Sequence, residues 1–174
     1  SYIQPESNTG RGLTATKSVT CGIFRAYQND DTALYLDSNL SKISKVEIND
    51  NNGADGIRVI GNKNTLSNVK VTGNNNGNAI GILVDGEENR VVGRVFDYDG
   101  TGGIGLKSLT TFSDNFISLN ISNCETGFEN AVIGATNDLN IIFACGTGQT
   151  AVTETASIAE SSDVNFKGTS NNAT

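Results

Sequence analysis

The stretch NKNTLSNVKVTGNNNGNAIGILVDG, residues 62–86, decides the reading of this chain. Val69/Val71 and Ile82/Val84 alternate with a period of two, the pattern of strands buried on one face. Between them lies Asn74-Asn75-Asn76-Gly77, a cluster of residue types that tolerate positive φ and punctuate strands with turns. No segment here or elsewhere keeps a helical period for more than about two turns.

The same layout recurs outward in both directions. A small residue followed by an apolar one appears as Ala33-Leu34, Gly56-Ile57, Gly81-Ile82, Gly105-Leu106, Gly127-Phe128 and Ala151-Val152. The apolar members are 23, 25, 24, 22 and 24 residues apart. A second ladder follows: Val46/Ile48, Val69/Val71, Val95/Phe96, Leu119/Ile121, Ile141/Phe143 and Val164/Phe166. Between the ladders, Asn64, Asn89, Asn115 and Asn137 each stand two residues before an apolar position. A repeat of this length is too short for a propeller blade of about 40 residues and has no helix to make a leucine-rich repeat. The expected fold is all-β: a single-stranded parallel β-helix with coils of 22–25 residues, stacked ~4.8 Å apart. Residues 1–32 read as a lead-in with one irregular coil, and 33–174 as the coils proper, part of a longer protein. Equivalent residues of neighbouring coils then touch, so Asn64, Asn89, Asn115 and Asn137 suit a hydrogen-bonded turn ladder. Cys124 and Cys145, 21 residues apart, suit stacked core thiols.

Composition narrows the function. The chain has 174 residues, one domain's worth, with 23 Asn and 20 Gly but no Met, Trp or His. Without His there is no Ser-His-Asp or Cys-His catalysis and no His-ligated metal. Three cysteines without a CxxC support neither a disulfide framework nor a metal site, so no cofactor is expected. The net charge is −7 and the 12 Lys and Arg show no cluster along the sequence, which argues against nucleic-acid binding. No apolar run approaches the ~20 residues of a membrane span.

The rungs from Leu34 to Phe166, the Asn-rich turns and the acidic balance resemble right-handed β-helices of the pectate-lyase-like group. The Asn/Gly/Thr-rich, Pro-poor texture of residues 62–86 is most similar to bacteriophage tailspike and tail-appendage proteins. That resemblance implies a homotrimer on a virion tail, outside the cell. It also implies that the chain binds, and in many relatives hydrolyses, bacterial surface polysaccharide. Ser1–Cys21 shows no amphipathic capping helix, so further chain or trimeric packing is expected to cover the strand edges. The other readings are a structural shaft or adhesin segment without catalysis, and a secreted polysaccharide-active enzyme. With 11 aromatics and no Trp, sugar-stacking platforms are few, which weakens the secreted enzyme.

A glycoside hydrolase needs two carboxylates, ~5–5.5 Å apart for retention or ~6.5–9.5 Å for inversion. Asp37 and Asp85 end equivalent strands two coils apart, and Asp97 and Asp99 share one face of an extended segment. Tyr35 and Tyr98 are the neighbouring rings expected to contact sugar. Asp50 and Asn123 lie near equivalent strand ends and would extend an acidic groove. Lyase chemistry would need Arg or Lys to neutralise a uronate, but Arg58 and Lys107 are two coils apart and no clustered basic site is evident.

Overall fold

Apolar residues at every second position, interrupted by Asn and Gly, give strands too short to stand alone and long enough to stack. The computed structural model describes residues 1–6, 9–50, 55–73, 79–109, 111–130, 137–144, 150–154 and 163–168, with 130, 151–154 and 163–168 as backbone. Among these the chain runs β1 (Tyr2–Ile3), β2 (Leu13–Ala15), β3 (Thr20–Tyr27), β4 (Leu34–Leu36), β5 (Lys42–Asn49), β6 (Ile57–Val59), β7 (Thr65–Thr72) and β8 (Ile80–Val84). It continues through β9 (Arg90–Tyr98), β10 (Ile104–Ser108), β11 (Phe116–Cys124), β12 (Thr126–Asn130), β13 (Asp138–Ala144), β14 (Thr150–Glu154) and β15 (Asp163–Gly168). The odd strands form one sheet of eight and the even strands one of seven, each strand pairing in parallel with its equivalent in the next coil. This is a parallel β-solenoid.

The first ladder is one unbroken stack. Leu13, Leu34, Ile57, Ile82, Leu106, Phe128 and Val152 are register partners in turn. The five from Leu34 to Phe128 are fully buried. Within residues 1–32, Leu13 pairs with Leu34 in this stack and Phe24 with Val46 in the other sheet.

The second ladder differs from expectation at two rungs. Val95 continues the row of Ile48, Val71, Ile121 and Phe143, but Phe96 faces outward beside Thr72 and Ser122, and Gly93 takes the inward place below Leu119. Val164 pairs with Leu139 and Phe166 with Ile141, two residues away from the expected alignment.

The turn ladder joins the two sheets. Asn64 N donates to Asn89 Oδ1 at 2.9 Å, Asn89 N to Asn115 Oδ1 at 2.8 Å and Asn115 N to Asn137 Oδ1 at 3.0 Å. Ser41 N extends the row to Asn64 Oδ1 at 2.9 Å. All four asparagines are buried, so each side chain satisfies a backbone donor that water cannot reach. Leu40, Lys63, Glu88 and Asp114, which precede Ser41, Asn64, Asn89 and Asn115, have φ of 63°, 60°, 55° and 53°. That left-handed step turns the chain inward before the asparagine.

Cys21 and Cys124 are buried free thiols, and the register partner of Cys124 in the preceding coil is Tyr98. Cys145 and the turn expected at residues 74–77 lie outside the described residues.

Candidate functional site

Asp37, Ile60, Asp85 and Leu109 occupy one row, shown by Asp37 N donating to Ala15 O, Ile60 N to Leu36 O, Asp85 N to Val59 O and Leu109 N to Val84 O. Asp37 and Asp85 are therefore equivalent and two coils apart, as their spacing indicates. Asp85 Oδ1, however, accepts hydrogen bonds from Thr111 N at 3.0 Å and Thr111 Oγ1 at 2.6 Å. Its carboxylate ties down a turn of the next coil. Tyr35 lies under the Arg11 guanidinium, 4.0 Å from the ring centroid, so one ring face is covered.

Asp97 and Asp99 do reach the same side. Asn123 Nδ2 donates to Asp97 Oδ1 at 2.9 Å and to Asp99 Oδ2 at 3.2 Å. The amide nitrogen sits between the two carboxylates and is hydrogen-bonded to both. Asp50 and Asn123 share with Asp97 a left-handed corner, φ 51°, 50° and 63°.

Tyr98 does not face a groove. The left-handed bend at Asp97 shifts the alternation by one, and Tyr98 is turned into the core with 2% exposure. A Cβ on Gly56 or Gly73 would come within 3.0 Å of this side chain, so the ring fills space that those glycines leave empty. Burial pushes the Tyr98 phenol above its usual range, with Cys124 and Asp55 nearby adding to it. A sugar-contacting role for Tyr98 is incompatible with this placement.

On the outer face of the seven-stranded sheet, Arg58 and Lys107 flank Leu83 in one row. Each has a carboxylate: Arg58 Nε lies 3.1 Å from Asp55 Oδ2 and Lys107 Nζ 2.5 Å from Glu129 Oε1. Burial raises the Asp55 carboxyl, against the opposing pull of Arg58.

The eight-stranded sheet carries what the sequence reading missed. Its outer face holds a row in register, Arg25, Glu47, Lys70, Arg94, Asn120 and Ile142. Strands β3, β5, β7 and β9 together carry Arg25, Lys42, Lys45, Lys70, Arg90 and Arg94 against two carboxylates, Glu47 and Asp97. Half of the 12 cations of an acidic chain are thus gathered on one flank, which corrects the expectation of no clustered basic site. The signal was present in the middle residues of Val46-Glu47-Ile48, Val69-Lys70-Val71 and Gly93-Arg94-Val95.

A hollow of about 370 Å³ opens in this flank, lined by Lys45, Glu47, Asn68, Val69, Lys70, Gly93, Arg94 and Asn120. A backbone irregularity makes it. In β5 and β7 two residues separate successive inward positions, Ser44-Lys45 and Ser67-Asn68, whereas β9 has only Val92 there. The surplus residue is a β-bulge, with Asn68 at φ 47° and its Nδ2 donating to Ser44 O at 3.1 Å. Where the bulged run stops, Gly93 meets Val69 so closely that a Cβ would lie 2.1 Å from Val69 O.

Charge in the hollow is uneven. Lys45 Nζ bonds Glu47 Oε1 at 2.7 Å and Arg25 Nε bonds Glu47 Oε2, and these two contacts hold the Glu47 carboxyl below its usual range. Lys70 and Arg94 have no carboxylate partner among the described residues. They stand 5.5 Å and 5.8 Å from the centroid of Phe96. No group of three metal-ligating side chains occurs among the described residues. Compared with known proteins, the chain matches no family model, no curated protein and no solved structure.

Proposed function

We propose that the outer face of the eight-stranded sheet binds polysaccharide, and that the chain is a host-recognition segment of tailspike type. The observation that carries the binding is the hollow over Gly93, where charged and amide side chains surround Val69 and Gly93. Such donors and acceptors suit sugar hydroxyls, and the parallel coils repeat them along the flank at ~4.8 Å steps. Hydrolysis has weaker support, because Asp85 is engaged by Thr111, and Asp97 and Asp99 by Asn123. The reading favoured here is therefore attachment rather than cleavage.

Glycan-array binding followed by lysine footprinting tests it. Bound glycan should protect Lys45 and Lys70 from acetylation and leave Lys107, on the other sheet, unprotected. Protection of Lys107 alone would place the glycan on the wrong face. A reducing-end assay on the bound glycan decides catalysis: release that survives both Asp97→Asn and Asp85→Asn would put the catalytic carboxylates elsewhere.

A further inference from the structure

We infer that the hollow takes an acidic glycan, with a sugar carboxylate seated between Lys70 and Arg94. This rests on the glycan-binding flank and adds the charge of the ligand. Glu47 is already neutralised by Lys45 and Arg25, so the surplus charge in the hollow belongs to Lys70 and Arg94. The two are register partners in adjacent coils, their backbones ~4.8 Å apart. An arginine fork meets a carboxylate through two parallel N–H donors, and a lysine beside it adds a point charge. Phe96 restrains both cations through its ring face, which lowers the entropy lost when a ligand immobilises them. Asn120, next in the row, offers a neutral amide to a hydroxyl.

Charge density selects glycan over nucleic acid. A duplex carries one phosphate per ~1.7 Å of axis and needs an extended basic surface. Here six of the 12 cations share one flank of a chain of net charge −7, which repels a dense polyanion at long range. A polymer with one acid group every sugar or two presents its charge at the spacing of the coils.

The experiment compares immobilised uronate-bearing polysaccharides with the same polymers after carboxyl reduction, and with single-stranded DNA. The chain should bind in the uronate arm alone, with affinity falling as salt rises from ~0.05 M to ~0.3 M. Lys70→Gln and Arg94→Gln should each weaken that binding by about tenfold or more, with unchanged circular dichroism, while Lys107→Gln should leave it intact. Equal binding to native and reduced polymers, with Lys45 and Lys70 still protected, keeps the flank and overturns its preference for acid. Uronate binding indifferent to both substitutions also overturns it, as does tighter binding of DNA. Retention of no glycan in either arm removes the binding flank itself.

Discussion

Asn89 and Asn115 lie 26 residues apart in sequence, yet the backbone N–H of Asn89 donates to Asn115 Oδ1 at 2.8 Å. The two side chains carry different loads. Asn115 Nδ2 donates to Gly86 O at 2.9 Å and Asn137 Oδ1 at 3.2 Å, whereas Asn89 Nδ2 is buried without a partner among the described residues.

Aspartate therefore discriminates between the two rungs. Asn89→Asp keeps both acceptor roles toward Asn64 and loses no donated bond. Asn115→Asp buries the same charge and abandons two donated bonds. We expect Asn115→Asp to be the more destabilising by ~1–3 kcal/mol in urea denaturation. Equal losses would mean that the ladder works through its acceptors alone.

The central stack gives a second expectation. Ile82 is fully buried between Ile57 and Leu106, and Ile82→Ala should cost ~2–5 kcal/mol in the same assay. A loss below ~1 kcal/mol would be inconsistent with a closed interior at this coil.

Backbone crowding at the hollow predicts a contrast between two glycines. Gly93→Ala should destabilise in the ~1–3 kcal/mol range of overpacked sites, because the added methyl meets Val69 O. Gly10→Ala, with nothing within 4 Å of the added atom, should be near neutral. The paired melting curves check both, and a harmless Gly93→Ala would mean that β7 can retreat.

Acid sensitivity follows from Glu47. Its folded-state pKa is lowered by the hydrogen bonds from Lys45 and then Arg25, so the unfolded chain takes up its proton first as pH falls. The stability it contributes is present above the usual glutamate pKa of ~4.3 and is lost as pH drops from there through the folded value. Glu47→Gln should lower stability near neutrality by that contribution and flatten the profile below about pH 4.5, where the two proteins converge. Parallel profiles for the two proteins would contradict the assignment. The effect is small, since the three side chains are partly exposed.

The inward rows are legible in the sequence because burial admits only apolar residues there, and Leu34 to Phe128 keep their spacing within a residue or two. The buried asparagines are legible for the complementary reason, since only a short amide fits and satisfies that turn. Outward residues carry no such restriction. Glu47, Lys70 and Arg94 differ in type, and their shared row appears only after the bulge at Ser67-Asn68 has been counted. Tyr98 escapes for a third reason: a left-handed residue at Asp97 reverses which side of the strand faces in, and alternation does not record that reversal.

The end of the bulged run also has a consequence for motion. A solenoid that repeats itself perfectly offers a chain-like ligand many identical seats, between which it can creep one coil at a time. At Gly93 the backbone on one side no longer superimposes on that of the other. A polymer bound on the flank as proposed would meet one seat unlike its neighbours, and so acquire a fixed phase against the protein. For such a ligand the shortening by one residue would act as a detent, converting a track into a mooring.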